Sequence, residues 1–257
     1  LLARYITQSD DLRMKEEADY MRSVASFKRG RDSGGEMLKA FLSSYPESTH
    51  RHPLLFMIGS YHYDRKEWEA ARSWFTLADL DYLTLAEQED YSFRSGYTEL
   101  QLGNLGEATR RFGLLSLNSS RYRDAANFYL GYIDYTNKNY RAALERFQRL
   151  KNHPEYREEI AFYTAQATFF EGSLEEALRL SESFLSQYPH SGHITEINRV
   201  LGNSYFRLGQ PSRAIPYYEQ YLASTTRPLR GDAYFLGLSY AENGKLEESL
   251  RMFQLAV

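Results

Sequence analysis

Apolar and polar residues along the chain fall into blocks of roughly a dozen, each holding the 3.6-residue period of an amphipathic helix, and the blocks come in pairs. The clearest pair runs from Glu196 to Tyr221. Leu201, Gly202 and Tyr205 share one side of a first helix, Gly209 ends it, and Ala214 and Tyr218 share one side of a second. Small residues at Gly202 and Ala214 predict two short helices that touch backbone to backbone, with large apolar residues filling the rest of the seam. The unit is a helical hairpin.

The pair recurs. Aligned on the small residue of the first helix, the chain gives Gly59, Gly96, Gly131, Ala165, Gly202 and Gly237, at steps of 37, 35, 34, 37 and 35 residues. Twelve positions later lies a second small residue, at Ala71, Ala108, Ala143, Ala177, Ala214 and Ser249. Four further on comes a ring, at Phe75, Phe112, Phe147, Tyr218 and Phe253, with Ser181 the one interruption. Gly103, Gly172, Gly209 and Gly244 supply the left-handed residue that closes a first helix, while Lys66 and Lys138 stand at that place in the other two copies.

A second marker extends the series to seven. Phe41-Leu42-Ser43-Ser44-Tyr45-Pro46-Glu47-Ser48 returns as Phe184-Leu185-Ser186-Gln187-Tyr188-Pro189-His190-Ser191, in phase with the repeat. The expected repeats span about 11–48, 52–82, 87–118, 122–153, 154–189, 191–226 and 229–257, with 1–8 the tail of a preceding copy. In the first, helices are expected over Asp11–Arg29 and Gly34–Tyr45, with Ser33 as cap. Glu67–Asp79 forms the second helix of the next. Pro211 opens a helix, and Pro216 in its body predicts a distorted first turn over 211–216. The apolar ends, Leu1 to Thr7 and Leu255 to Val257, read as cuts through a longer array. The fold class expected is all-α: a right-handed superhelical solenoid of about seven hairpins in a single domain over 1–257.

At this point the chain resembles the tetratricopeptide repeat family, whose motif places a Leu-Gly-Tyr cluster on one helix and Ala-Phe-Ala on the next. Leu201, Gly202, Tyr205, Gly209, Ala214 and Tyr218 carry it, as do Gly237, Tyr240, Gly244, Phe253 and Ala256. The motif's tyrosine is replaced by His62, Glu99, Asp134 and Thr168 in four earlier copies. The Tyr-Pro-x-Ser endings are similar to those of bacterial cell-envelope members, of the outer-membrane assembly lipoprotein and Tol-Pal coordinator type. That likeness favours the periplasm or an outer-membrane-associated place over the cytoplasm. It implies a scaffold whose first helices line a concave groove.

Composition narrows the function classes. Thirty-one basic and 34 acidic residues, a net charge of −3 and no long run of either sign give no basic face for nucleic acid. The absence of cysteine excludes thiol catalysis and Cys-ligated zinc. No apolar stretch reaches the roughly 18 residues of a membrane span. His50 with His52, and His190 with His193, lie at junctions without a metal-ligand set around them. Asn118-Ser119-Ser120 fits a glycosylation sequon. No phosphate-binding glycine loop, nucleophile elbow or HExxH helix is present, so no cofactor, metal or catalytic residue is expected.

On a wheel at 100° per residue, a stripe of first-helix positions lies about 90° from the packing side. It holds Phe93, Tyr97, Phe128, Tyr132, Phe162, Gln166, Arg199, Asn203 and Tyr234, which are the candidate partner-binding residues. Rings three before the small residue also suit the gap between hairpins. Residues one after it (Tyr97, Tyr132, Gln166, Asn203) point to the open groove. Arg94, Arg199 and Arg207 suit an acidic ligand. The function expected is a non-enzymatic protein–protein interaction scaffold that holds a peptide or protein segment in an aromatic groove. The alternative is an architectural segment that self-associates or stacks through its terminal repeats. A third class, a superhelical cell-wall-acting enzyme, requires a buried groove acid, for which Glu159 and Glu196 are the candidates.

Overall fold

The computed structural model describes residues 12–29, 34–117, 120–226 and 229–256. The expected cap Ser33, the segment Leu1 to Thr7, Val257, and Asn118 and Ser119 of the sequon lie outside them. Among the described residues all regular structure is helical. The helices are α1 (Leu12–Lys28), α2 (Gly34–Ser44), α3 (Arg51–Asp64), α4 (Trp68–Leu77), α5 (Leu85–Gln101), α6 (Leu105–Ser116), α7 (Arg123–Thr136) and α8 (Tyr140–Leu150). They continue with α9 (Arg157–Phe170), α10 (Leu174–Gln187), α11 (Ile194–Arg207), α12 (Pro211–Ser224), α13 (Arg230–Glu242) and α14 (Leu246–Ala256). The chain divides into two compact units, Leu1–Ala126 and Asn127–Val257, with the division inside α7. Each is a succession of antiparallel hairpins.

Hairpin spacing is set by a ring seated on a glycine. A methyl group built on Gly131 would lie 2.7 Å from the Phe147 ring, and one on Gly202 would lie 2.8 Å from Tyr218. Gly59 stands in the same relation to Phe75, and Gly237 to Phe253. The close approach is therefore backbone to ring, rather than the backbone-to-backbone contact the small residues predict. Ala165 and Ser181, both buried, make sense of the interruption in the ring series. Where the first helix carries a methyl group, the second gives up its ring, so the seam volume is shared out differently.

First helices α3, α5, α7, α9, α11 and α13 close alike. In each, the amide three residues past the helix's last residue reaches back to a carbonyl five residues earlier: Glu67 to His62, Asn104 to Glu99, Asn139 to Asp134, Ser173 to Thr168, Gln210 to Tyr205 and Lys245 to Tyr240. The residue between is left-handed, including the non-glycines Lys66 (φ 60°) and Lys138 (φ 62°). The carbonyl acceptor is the family's tyrosine position. Three of its four replacements find polar partners within their own hairpin: His62 with Glu67 (2.6 Å), Glu99 with Asn104 (2.7 Å) and Asp134 with Arg146 (2.8 Å). Tyr205 and Tyr240 instead donate to Glu182 and Glu219 of the preceding hairpin, each at 2.5 Å.

Hairpin joins hairpin through a second ring contact. The residue nine before the small residue, at the N-terminal edge of a first helix, lies flat on the ring three before the small residue of the preceding hairpin. The pairs are His50 on Tyr20 (3.7 Å), Tyr122 on Phe93 (4.4 Å), Tyr156 on Phe128 (4.5 Å) and His193 on Phe162 (3.9 Å), all within 15° of parallel. In three of them the serine two residues earlier accepts the ring residue's amide: Ser48, Ser120 and Ser191, at 3.1–3.2 Å. The Tyr-Pro-x-Ser endings are thus turns that aim a ring. At α5 the position holds Glu87, which forms a capping box with Thr84 after a 3-10 turn at Leu80–Tyr82. The Thr84 cap starts α5 two residues before the expected Glu87.

Pro216 does not break α12, which runs unbroken from Pro211 to Ser224. The distortion is confined to Gln210, whose carbonyl accepts from both Arg213 (3.0 Å) and Ala214 (3.3 Å), a tightened first turn.

Gly131→Ala is expected to lower stability by about 1–3 kcal/mol, because the Phe147 ring must move, as read by urea unfolding. Lys138→Gly is expected to raise it by about 0.5–1 kcal/mol by relieving the left-handed strain, as read by the thermal midpoint.

Candidate functional site

The first-helix stripe is best described unit by unit. In the first unit, Tyr63 (α3), Trp68 (α4) and Tyr97 (α5) meet edge to face, at 5.7–5.8 Å between ring centres. The Arg94 guanidinium lies 4.9 Å over Tyr63 and is paired with Asp64 at 2.6 Å. In the second unit a longer ladder runs from Tyr132 and Tyr135 (α7) across Tyr163 (α9) to Tyr140 (α8), Phe170 and Phe169 (α9). The steps are 5.4 Å for Tyr132–Tyr163, 5.1 Å for Tyr135–Tyr163 and 4.9 Å for Tyr140–Phe170. Arg207 covers Phe169 at 5.3 Å. Burial pushes the Tyr63, Tyr135 and Tyr163 hydroxyls up to about 12, so each stays a neutral donor at physiological pH.

The nine predicted residues separate by burial. Phe128 and Phe162 are buried, and Phe93 is half-buried; all three serve as the lower ring of a junction stack. Gln166 departs from the expectation that it faces an open groove. It is buried, and its Oε1 accepts the Tyr135 hydroxyl. Tyr97 and Tyr132 are partly exposed, each resting edge-on against a neighbouring ring. Tyr234 is 47 % exposed.

Arg199 and Asn203 belong to a polar knot between α11 and α13. Arg199 Nε is 3.0 Å from Glu196, and its Nη1 is 3.9 Å from Asp232 Oδ2. Asn203 Nδ2 donates to Asp232 Oδ1 at 3.3 Å, and the Tyr218 hydroxyl donates to Asn203 Oδ1 at 3.1 Å. Asp232 is the buried acid of this stretch, whereas Glu159 and Glu196 are both partly exposed. Burial raises its carboxyl above the usual carboxylate range, and the Arg199 charge opposes that. A sequence signal was present. Asp232 sits in a column of positions five before the small residue that otherwise reads Leu54, Tyr91, Ala126, Ile160 and Ile197. An acid in an apolar column requires a partner.

The histidine pairs do not converge. His50 meets Glu17 at 2.9 Å while His52 accepts the Asp79 amide at 3.0 Å. Among the described residues no group of three His, Asp or Glu is placed to hold a metal ion, and no helix is long and apolar enough to cross a membrane.

Paired antiparallel helices repeated with part-exposed rings on the first helices define the class: an α-helical repeat protein. Two comparisons bear on the fold. A family model described as tetratricopeptide repeat matches residues 199–257. Solved structures share the fold. The crystal structure of a tetratricopeptide repeat protein from Parabacteroides merdae ATCC 43184 is 18% identical over 94% of this chain and 91% of that one, with a TM-score of 0.59. A structure of MamA AMB-1 is 16% identical over 69% and 93%, with a TM-score of 0.56. Another MamA structure is 17% identical over 63% and 91%, with a TM-score of 0.52. No curated protein matches the chain.

Arg199→Ala is expected to destabilise the chain by about 3 kcal/mol at neutral pH, because it leaves Asp232 buried without its counter-charge. A carboxyl whose folded pKa lies above its unfolded value binds protons more tightly when folded. Stability is therefore regained as pH falls through the folded value toward the unfolded one. The deficit of Arg199→Ala should shrink as pH falls through the raised folded value toward the unfolded carboxylate value of about 4, as followed by chemical unfolding, and Arg199→Ala/Asp232→Asn should shrink it at all pH.

Proposed function

We propose that the chain is a non-enzymatic protein-binding scaffold that holds an extended peptide or protein segment along its first-helix rings. The observation that carries this is the ladder Tyr132, Tyr163, Tyr135, Tyr140, Phe170: contiguous, partly exposed, and more than the hairpin seams require. Tyrosine brings a large apolar face, few rotatable angles and a hydroxyl that satisfies a peptide carbonyl. Tyr97 offers the same chemistry in the first unit, with Arg94 beside it. The charges near the stripe are largely spoken for, Arg94 by Asp64 and Arg199 by Glu196, so the segment is recognised by shape and hydroxyls more than by charge. We extend the proposal to the bacterial cell envelope, on the likeness of the two Tyr-Pro-x-Ser endings. A second reading, stacking of the terminal hairpin on a further helix, is favoured by the exposure of Leu246 and Leu250.

Panning a displayed library of random 12-residue peptides on the chain should yield ligands. By calorimetry their affinity should fall about tenfold or more on Tyr132→Ala, with Tyr97→Ala tested in parallel. Ligands that bind wild type and both variants equally would move the site off these rings.

A further inference from the structure

The turn Phe-Leu-Ser-x-Tyr-Pro-x-Ser closes the first and the fifth hairpins, and what lies beneath its tyrosine differs between them. In the first, the Tyr45 hydroxyl donates to Asp19 Oδ2 at 2.8 Å, and Asp19 pairs with Arg22 at 3.3 Å. In the fifth the tyrosine is Tyr188, and α9 carries Ala161 and Thr164 at the places of Asp19 and Arg22, four before and one before the small residue. The carboxylate is missing. Among the described residues no group bonds the Tyr188 hydroxyl.

The short pair sits where a cavity of about 220 Å³ opens between α8, α9 and α10. At the same two places α3, α7 and α11 carry bulkier pairs, Leu55 and Ile58, Asn127 and Leu130, and Asn198 and Leu201. α5 is short there as well, at Ser92 and Ser95, but Arg111 of α6 is drawn in over the Tyr91 ring at 4.9 Å, its side chain only 15% exposed. The counterpart of Arg111 in α10 is Leu180, which lines the cavity.

The lining has two characters. Its floor of Phe147, Ile160, Ala161 and Phe184 is apolar, and all but Ala161 are buried. Its rim holds the exposed Lys151 and Arg157 beside Tyr188, and no Asp or Glu lines the cavity. Neither cation has an ion-pair partner among the described residues. An apolar bed beneath uncompensated positive charge and a free hydroxyl is complementary to an apolar body that ends in an anion. A carboxylate is the anion that the first hairpin sets against the matching tyrosine.

We propose that this cavity binds a small carboxylic acid with an apolar body of about six carbons, since a cavity of about 150 Å³ already takes benzene. The carboxylate stands in for Asp19: it accepts from the Tyr188 hydroxyl and pairs with Lys151 and Arg157, while the body lies on Ile160, Ala161 and the two phenylalanine rings. The site shares no lining residue with the ring ladder and is independent of the peptide-binding reading.

Hexanoate is the probe, added to the whole chain and followed through amide chemical shifts. Shifts centred on α8, α9 and α10 should saturate, half-complete at or below about 5 mM. Hexanamide, the same body without the charge, should bind about tenfold more weakly. Lys151→Ala/Arg157→Ala removes only exposed groups and should weaken hexanoate about tenfold, and Tyr188→Phe about threefold. Ala161→Leu fills the bed and should abolish binding, whereas Tyr132→Ala should leave it unchanged. Shifts that do not saturate, equal binding of hexanoate and hexanamide, or undiminished binding to the Lys151→Ala/Arg157→Ala chain would overturn the proposal. Loss of binding with Tyr132→Ala would place the acid on the ring ladder and overturn it as well. So would a peptide ending in leucine that displaces hexanoate and binds more tightly, since a protein C-terminus would then be the occupant.

Discussion

A ring resting on a glycine is the contact on which the rest of this structure depends. It brings two helices close enough that a single side chain fills the space between them, and it does so only because no methyl group stands in the way. Once that distance is set, the register of each hairpin follows. The residues either side of the glycine then face the neighbouring hairpin at fixed angles. Ala165 with Ser181 is the informative variant: volume moves from one helix to the other and the seam stays closed.

The same economy explains why so many first-helix rings are buried. Phe93, Phe128 and Phe162 each carry the flat ring that opens the next hairpin, so their chemistry is consumed in joining repeats. What is left over is tyrosine one and four places past the glycine, where a ring leans on its neighbours by an edge and keeps part of its surface in solvent. Rings spent on cohesion and rings left partly in solvent are thus separated by about one turn of helix. The buried Asp232 marks a third use of the same stripe. There the junction is held by a charge pair and amide hydrogen bonds instead of a stack, and Arg199 and Asn203 are engaged within the chain.

Much of this was legible in the residues. Hairpin spacing and the helix-closing turns at Gly103, Gly172, Gly209 and Gly244 followed from period and from glycine positions, because local backbone preference acts over a few residues; that Lys66 and Lys138 take the same left-handed place emerged only in the structure. The junction stacks were visible in principle as a column of His50, Tyr122, Tyr156 and His193, yet that column mixes residue types and reads as unrelated loop residues until the rings are seen to lie flat. Gln166 was misread because a helical wheel gives direction and not depth. The Tyr135 hydroxyl that covers it comes from another hairpin.

By itself the sequence determined that this chain is all helix, paired, and repeated at 34 to 37 residues, since periodicity and turn chemistry are properties of short stretches. Only the tertiary structure decided which rings are spent on packing, which keep an edge in solvent, and which acid is buried. Each of those depends on atoms brought together from hairpins more than 20 residues apart, and burial is fixed by what arrives there.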